Sequence, residues 1–197
     1  MTKLLKKLIR SKAGFTLTEI VSVLTISVAV MIMVYNIFIV SQRVFMAGDN
    51  FLEISQNARI LLDRLSRELR QTPEIATDLP PDKNQVGWPP AAEIMFQDGH
   101  DQPEIVYLRY YLDQSAVYRQ RLYYYFNEEP GTKVKWNAVD SFGQPPEQSV
   151  IEQKIIAEYV EQIRFYGADL TTIEINLKKN NNASHFLTSI WGRNTRN

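Results

Sequence analysis

A chain of 197 residues has room for one core and not for two ordinary domains, and its 45% hydrophobic and 22% charged content suits a folded protein. Its 22 basic and 22 acidic residues leave a formal charge of zero, so no overall basicity draws the chain to nucleic acid. Cysteine is absent, which excludes disulfides, thiol catalysis and cysteine metal sites.

The balanced charge is unevenly spread. Lys3, Lys6, Lys7, Arg10 and Lys12 precede any acidic residue, and beyond this basic leader (residues 1–14) acidic groups outnumber basic ones by five. From Leu17 to Val40 runs an apolar stretch of 24 residues without proline, broken by one carboxylate, Glu19. About 20 such residues cross a bilayer as a helix. The cations ahead of the run keep that end in the cytoplasm and send the C-terminal part across. A secretory signal peptide fits poorly, because its apolar core is about 7 to 15 residues. A plain single-pass anchor leaves Glu19 unexplained, since an acid within a span is costly and a buried carboxylate is tolerated when it meets a cation.

Gly14-Phe15-Thr16-Leu17-Thr18-Glu19, after the basic leader, resembles the class III signal of type IV pilins and of the pseudopilins of type II secretion. The resemblance implies that a prepilin peptidase/methyltransferase cuts between Gly14 and Phe15 and methylates the new Phe15 amine. It implies that Glu19 neutralises the N-terminal amine of a neighbouring subunit in a filament. The partners it implies are other minor and major pilin-like subunits, met through the stalk helix, together with inner-membrane lipid before assembly and the membrane platform of the assembly machine. It places the chain as a single-pass inner-membrane protein, N-terminus cytoplasmic, that passes into an extracytoplasmic filament.

Helix signals continue past the membrane. No proline occurs between Met1 and Thr72, and Phe51, Ile54, Ala58, Leu61, Leu62, Leu65 and Leu69 recur at helical spacing, with Glu53, Gln56, Arg59, Asp63, Arg64, Arg67 and Arg70 between them. A stalk helix is therefore expected over 15–71, with a membrane part at about 17–40 and an amphipathic part at about 50–71. Gly48-Asp49-Asn50 is its soft point. Asn36 stands where many major pilins carry a helix-disturbing proline.

Residues 72–91 hold Pro73, Pro80, Pro81, Pro89 and Pro90 and read as a connecting loop packed down by Trp88. An antiparallel sheet domain is expected over 92–192, followed by a tail at 193–197. Its strands are predicted at Glu93–Gln97, Glu104–Asp113, Val117–Asn127, Lys133–Asn137, Ile163–Tyr166, Thr171–Lys178 and Phe186–Trp191, with a loop around Pro145 and Pro146. The fold class is thus α+β, with the outer helix stripe covering the sheet. Ala58 to Gln71, Tyr159 to Tyr166 and Phe186 to Asn194 are similar to stretches of J-type pseudopilins and W-type minor pilins. That narrower resemblance implies a minor subunit near the filament tip that helps start assembly.

Among chemistry-bearing groups, Asp98, His100, Asp101 and Glu104 read as a solvated acidic turn, because they lack the spacing of a calcium loop. His185 reads as a surface or half-buried histidine. Arg119, Arg121, Tyr123 and Tyr125 share one face of a predicted strand, opposite Lys133 and Lys135, and form a possible surface patch for nucleic acid or carbohydrate. Ordinary solvated sheet decoration is the competing reading. No nucleophile–histidine set and no Gly-rich phosphate loop is present, so no catalysis, cofactor or metal is expected. Two other functions stay open beside the filament subunit: an adhesive or DNA-capturing tip subunit, and a membrane-anchored binding domain that never assembles.

Overall fold

The computed structural model describes residues 14–100, 104–168 and 170–192. Most of the leader and the whole 193–197 tail lie outside these described residues. The chain divides into two compact units, Met1–Ala47 and Gly48–Asn197.

One helix, α1 (Leu17–Gln71), contributes to both units. It runs through Gly48 and Asp49 without a break, so the expected soft point is not a helix end. Its first unit is apolar on all sides. Val23, Ile26, Val30, Ile32, Val34, Ile37 and Val40 are each more than half exposed. A helix apolar all round is made for lipid or for other helices. At 1.5 Å per residue, the run from residue 17 to 40 spans about 36 Å, enough for a hydrocarbon layer of about 30 Å.

In the second unit the helix turns amphipathic. Ile54, Ala58, Leu61, Leu65 and Leu69 are buried at spacings of three and four, while Phe51 stays 54% exposed and Leu62 is half-buried. Each fully buried Leu or Ile contributes about 2 kcal/mol relative to exposure. This stripe meets two antiparallel sheets rather than the one the sequence suggests.

The larger sheet contains β1 (Glu93–Gln97), β2 (Tyr107–Asp113), β3 (Ala116–Phe126), β4 (Glu129–Val134) and β5 (Glu147–Glu158). β5 follows β3 from Ala116 to Tyr125, so β2 and β4 share the opposite edge of β3 end to end. The smaller sheet is the meander β6 (Val160–Tyr166), β7 (Leu170–Lys179) and β8 (Asn182–Trp191). One core joins the helix stripe to Ile94, Phe96, Leu108 and Tyr110 of the first sheet and to Ile163, Phe165, Ile173 and Ile175 of the second. A separate cluster of Ala76, Tyr107 and Leu122 is packed by Met95, Tyr124 and Trp136.

The sequence reading missed β5 altogether. In Val150-Ile151 and Ile155-Ile156 the apolar residues come in pairs, which hides the period of two. The register explains the pairs: Ile151 and Ile156 have no partner on β3 and are extra residues at two bulges. The fourth strand was expected at Lys133–Asn137. It lies at Glu129–Val134 instead and carries Pro130, tolerated because β4 is an edge strand.

The proline-rich loop is pinned by its backbone, not by Trp88, which is 38% exposed. Ala76 N donates to Met95 O (2.8 Å), Gln97 N to Glu74 O (2.9 Å), and Ala91 and Phe165 exchange two bonds of 2.9 Å. The loop thereby occupies the outer edges of both β1 and β6. The corner before β6 is set by Tyr159, whose φ of 63° is costly for a bulky side chain. Lys179 lies over the Tyr159 ring at 4.4 Å and pairs with Glu53 of α1, and Asn57 Oδ1 accepts from Glu158 N at 3.0 Å.

Candidate functional site

The junction singled out by the sequence folds into a local hydrogen-bonded unit. Thr16 O accepts from Ile20 N at 3.2 Å, which makes Thr16 the cap of α1. The Glu19 carboxylate reaches back and accepts from Thr16 N at 2.9 Å and from its Oγ1 hydroxyl at 3.0 Å. Glu19 N in turn donates to Thr16 Oγ1 at 3.3 Å. This is a capping box, Thr-x-x-Glu, and it satisfies donors that a helix start leaves without partners. The pattern was legible in Thr16-Leu17-Thr18-Glu19, yet the sequence reading used Glu19 only as an intermolecular charge.

Two other polar groups of the apolar run bond back to their own helix. Ser22 Oγ donates to Thr18 O at 2.8 Å and Thr25 Oγ1 to Val21 O at 2.6 Å. Gly14 and Phe15 precede the helix in open, exposed chain, and Phe15 is 81% exposed.

The surface patch proposed from sequence does not hold together. Arg119 is only 7% exposed and belongs to the core side of β3. Its Nε donates to both oxygens of Glu68, at 3.1 and 3.2 Å, and its NH2 lies 3.1 Å from Glu68 Oε1. Tyr110 Oη donates to Glu68 Oε2 at 2.6 Å, and Arg64 Nε to Glu68 Oε1 at 3.3 Å. Glu68, itself 7% exposed, is thus a buried acid in the helix stripe, held by three donors. Burial alone would depress the Arg119 guanidinium, but its hydrogen bonds and charge contact with Glu68 hold it above its ordinary value. Burial, with Glu68 beside it, pushes the Tyr110 phenol well up.

Arg121 stands 3.7 Å from Asp98. Tyr123 and Tyr125 do form a tilted pair, 5.8 Å between centroids, with Lys133 over Tyr123 at 5.4 Å. The cations of the patch are committed, however: Lys133 pairs with Glu104 and Lys135 with Glu74. Register explains the split. Arg119 and Arg121 pair with Tyr110 and Leu108 of the main core, whereas Leu122 pairs with Tyr107 in the second cluster, so each face of β3 is covered along part of its length.

Asp98, expected in a solvated turn, is 5% exposed; its Oδ1 accepts from His100 N and meets His100 Nδ1, both at 3.0 Å. Asp101 lies outside the described residues. His185 is half-exposed and its Nε2 lies 3.1 Å from Glu174 Oε1. Glu174 is 5% exposed and also accepts from Lys83 Nζ at 2.7 Å, with Arg164 NH1 3.9 Å away. The Lys83 hydrogen bond outweighs burial and, with His185, holds the Glu174 carboxyl below its usual range. Neither Glu68 nor Glu174 carries a sequence signal except an acid placed among apolar residues of a periodic element.

These features define a class: an α+β chain whose N-terminal helix is long and apolar enough to cross a membrane and is followed by antiparallel sheets, consistent with a pilin-like architecture. Compared with protein-family models, with curated proteins and with solved structures, the chain matches none.

Proposed function

We propose that the chain is a minor pilin or pseudopilin, a structural subunit of a type IV filament, in a pilus or in a type II secretion pseudopilus. The observation that carries the reading is the exposed Gly14-Phe15 step directly before a capping box that contains the sole carboxylate of the apolar run from residue 17 to 40. In this reading a prepilin peptidase cuts after Gly14, and the same enzyme methylates the Phe15 amine. Assembly machinery then draws the helix out of the inner membrane, and the apolar surface of residues 20–40 exchanges lipid for the helices of other pilin-like subunits. Glu19 meets a neighbour's amine there, because a carboxylate in an apolar surround is stabilised by a cation. The resemblance to J- and W-type subunits supports a place near the tip and a part in initiation.

No catalytic role is proposed. The adhesive or DNA-capturing alternative loses its main support, since Arg119 is buried against Glu68.

Mass spectrometry of the native N-terminus tests the reading. A chain beginning at methylated Phe15 supports it, and an intact Met1 in a strain with an active peptidase overturns it in favour of a resident anchor. Glu19→Ala is expected to lower recovery in sheared filaments and partner pull-down while expression stays normal. Wild-type recovery would remove Glu19 from the mechanism.

A further inference from the structure

A pocket of about 530 Å³ opens beside the buried ion pair in the second unit. Its walls carry four guanidinium groups, from Arg64, Arg67, Arg119 and Arg121, against three carboxylates, from Glu68, Asp98 and Glu152. The carboxylates hold three of these arginines, Arg64, Arg119 and Arg121. Glu68 takes Arg119 Nε and Arg64 Nε, Glu152 lies 3.6 Å from Arg119 NH1, and Asp98 lies 3.7 Å from Arg121 Nε.

Two cations at the mouth are not used up. Arg64 is bonded through Nε, which leaves its two terminal nitrogens without a partner among the described residues. Arg67 is exposed and has no hydrogen-bonded or ionic partner among them. His100, 55% exposed, is turned by its Nδ1 contact to Asp98 so that Nε2 is left for another group.

We propose that this pocket binds a single carboxylate borne by a partner protein, an Asp or Glu side chain or a chain terminus, held by Arg67 and the free end of Arg64. Arg64, fixed through its Nε by Glu68, presents its terminal nitrogens, and a guanidinium suits a planar carboxylate because two parallel N–H donors match its two oxygens. A polyphosphate chain would bring repeated negative charge against Glu68, Asp98 and Glu152, so the pocket disfavours nucleic acid. The open mouth, with Arg67 at its rim, suits a side chain presented on another protein's surface better than a small ion that must be enclosed. Filament assembly is not required for this site, which serves equally a chain that stays singly anchored.

The test is an NMR titration of the full chain in detergent, following the arginine Nε–H signals. The probes are sodium acetate, the blocked peptide acetyl-Gly-Glu-Gly-amide and single-stranded DNA, each against sodium chloride at equal ionic strength. Saturable shifts of Arg64 and Arg67 with acetate and at lower concentration with the peptide support the site. Arg67→Gln should weaken peptide binding about tenfold, as for loss of one charge-assisted pair. Linear shifts that chloride reproduces would overturn the pocket as a site. Equal affinity for acetate and peptide would overturn the protein source, and tighter binding of DNA would overturn the carboxylate class.

Discussion

Glu68→Ala isolates the buried network on which the helix–sheet joint depends. In the folded chain this carboxylate accepts from Tyr110, Arg119 and Arg64 while being 7% exposed. Its removal leaves Arg119 buried with Glu152 at 3.6 Å and leaves the Tyr110 hydroxyl without its acceptor. Removing one partner of a buried pair costs about 3–5 kcal/mol. The lost hydrogen bond of Tyr110 is part of that figure rather than additional to it, because all three groups form one coupled unit. For a unit of this size each kcal/mol moves Tm by about 2–4 °C, so the expected fall is on the order of 10 °C. Thermal unfolding of the full chain in detergent, followed by near-ultraviolet circular dichroism, reads it. A triple apolar replacement, Glu68→Leu with Tyr110→Phe and Arg119→Met, should recover most of the loss, because a buried ion pair replaced by packed apolar groups is often neutral or stabilising. A fall below about 2 °C for Glu68→Ala would refute the reasoning, since it would mean that water entering from the neighbouring pocket already solvates Arg119.

Other perturbations probe separate parts of the molecule. Because Lys83 holds Glu174 below the ordinary carboxyl range, the folded state binds fewer protons there than the unfolded chain. That stabilisation is complete above the unfolded pKa of about 4.3 and is lost as pH falls through the lower folded value. Glu174→Gln should therefore lower Tm at pH 7 and flatten its decline between about pH 5 and 3, and an unchanged decline would dismiss the pair. Gly99→Ala would place a Cβ 2.0 Å from Gln71 O at the end of α1. Backbone must move to admit it, so a loss of about 3 kcal/mol or more in denaturant unfolding is expected. The Asn36 side chain has no hydrogen-bond partner among the described residues and lies in the apolar run, where an amide favours contact with another helix. Asn36→Leu should weaken self-association of the membrane segment by about 1 kcal/mol in a two-hybrid membrane assay.

Much of the architecture could be read from spacing because the elements repeat at their own periods. The stripe Ile54, Ala58, Leu61, Leu65 and Leu69 announced the buried helix face, and Ile173, Ile175 and Leu177 announced β7. β5 escaped because each bulge adds one residue, and two bulges within twelve residues erase alternation. The division into two sheets escaped for a different reason: the loop residues Ile75 and Ala91, which bridge to Phe96 and Phe165, carry no pattern. At the N-terminus the capping box was spelled out in four residues. The placement of Arg119 depended on pairing with a helix residue 51 positions away, which no local pattern encodes.

For the proposed assembly, the capping box changes what a neighbouring subunit would have to supply at Glu19. The carboxylate already accepts two hydrogen bonds from Thr16, one of them from the main chain, so it is partly compensated within the single chain. Such a cap is worth about 1 kcal/mol, far less than an isolated ionised carboxylate costs in an apolar medium. A neighbour's amine would add a charge partner while the Thr16 bonds remain available, since a carboxylate offers about four lone-pair directions. Thr16 would therefore support the proposed intermolecular pair rather than compete with it. Thr16→Val, which keeps the shape but removes the hydroxyl, should leave cleavage intact and reduce filament incorporation less than Glu19→Ala does. The measurement is quantitative immunoblotting of sheared filaments from both variants. Equal loss in the two would show that the cap, not the charge, is the part of Glu19 that assembly uses.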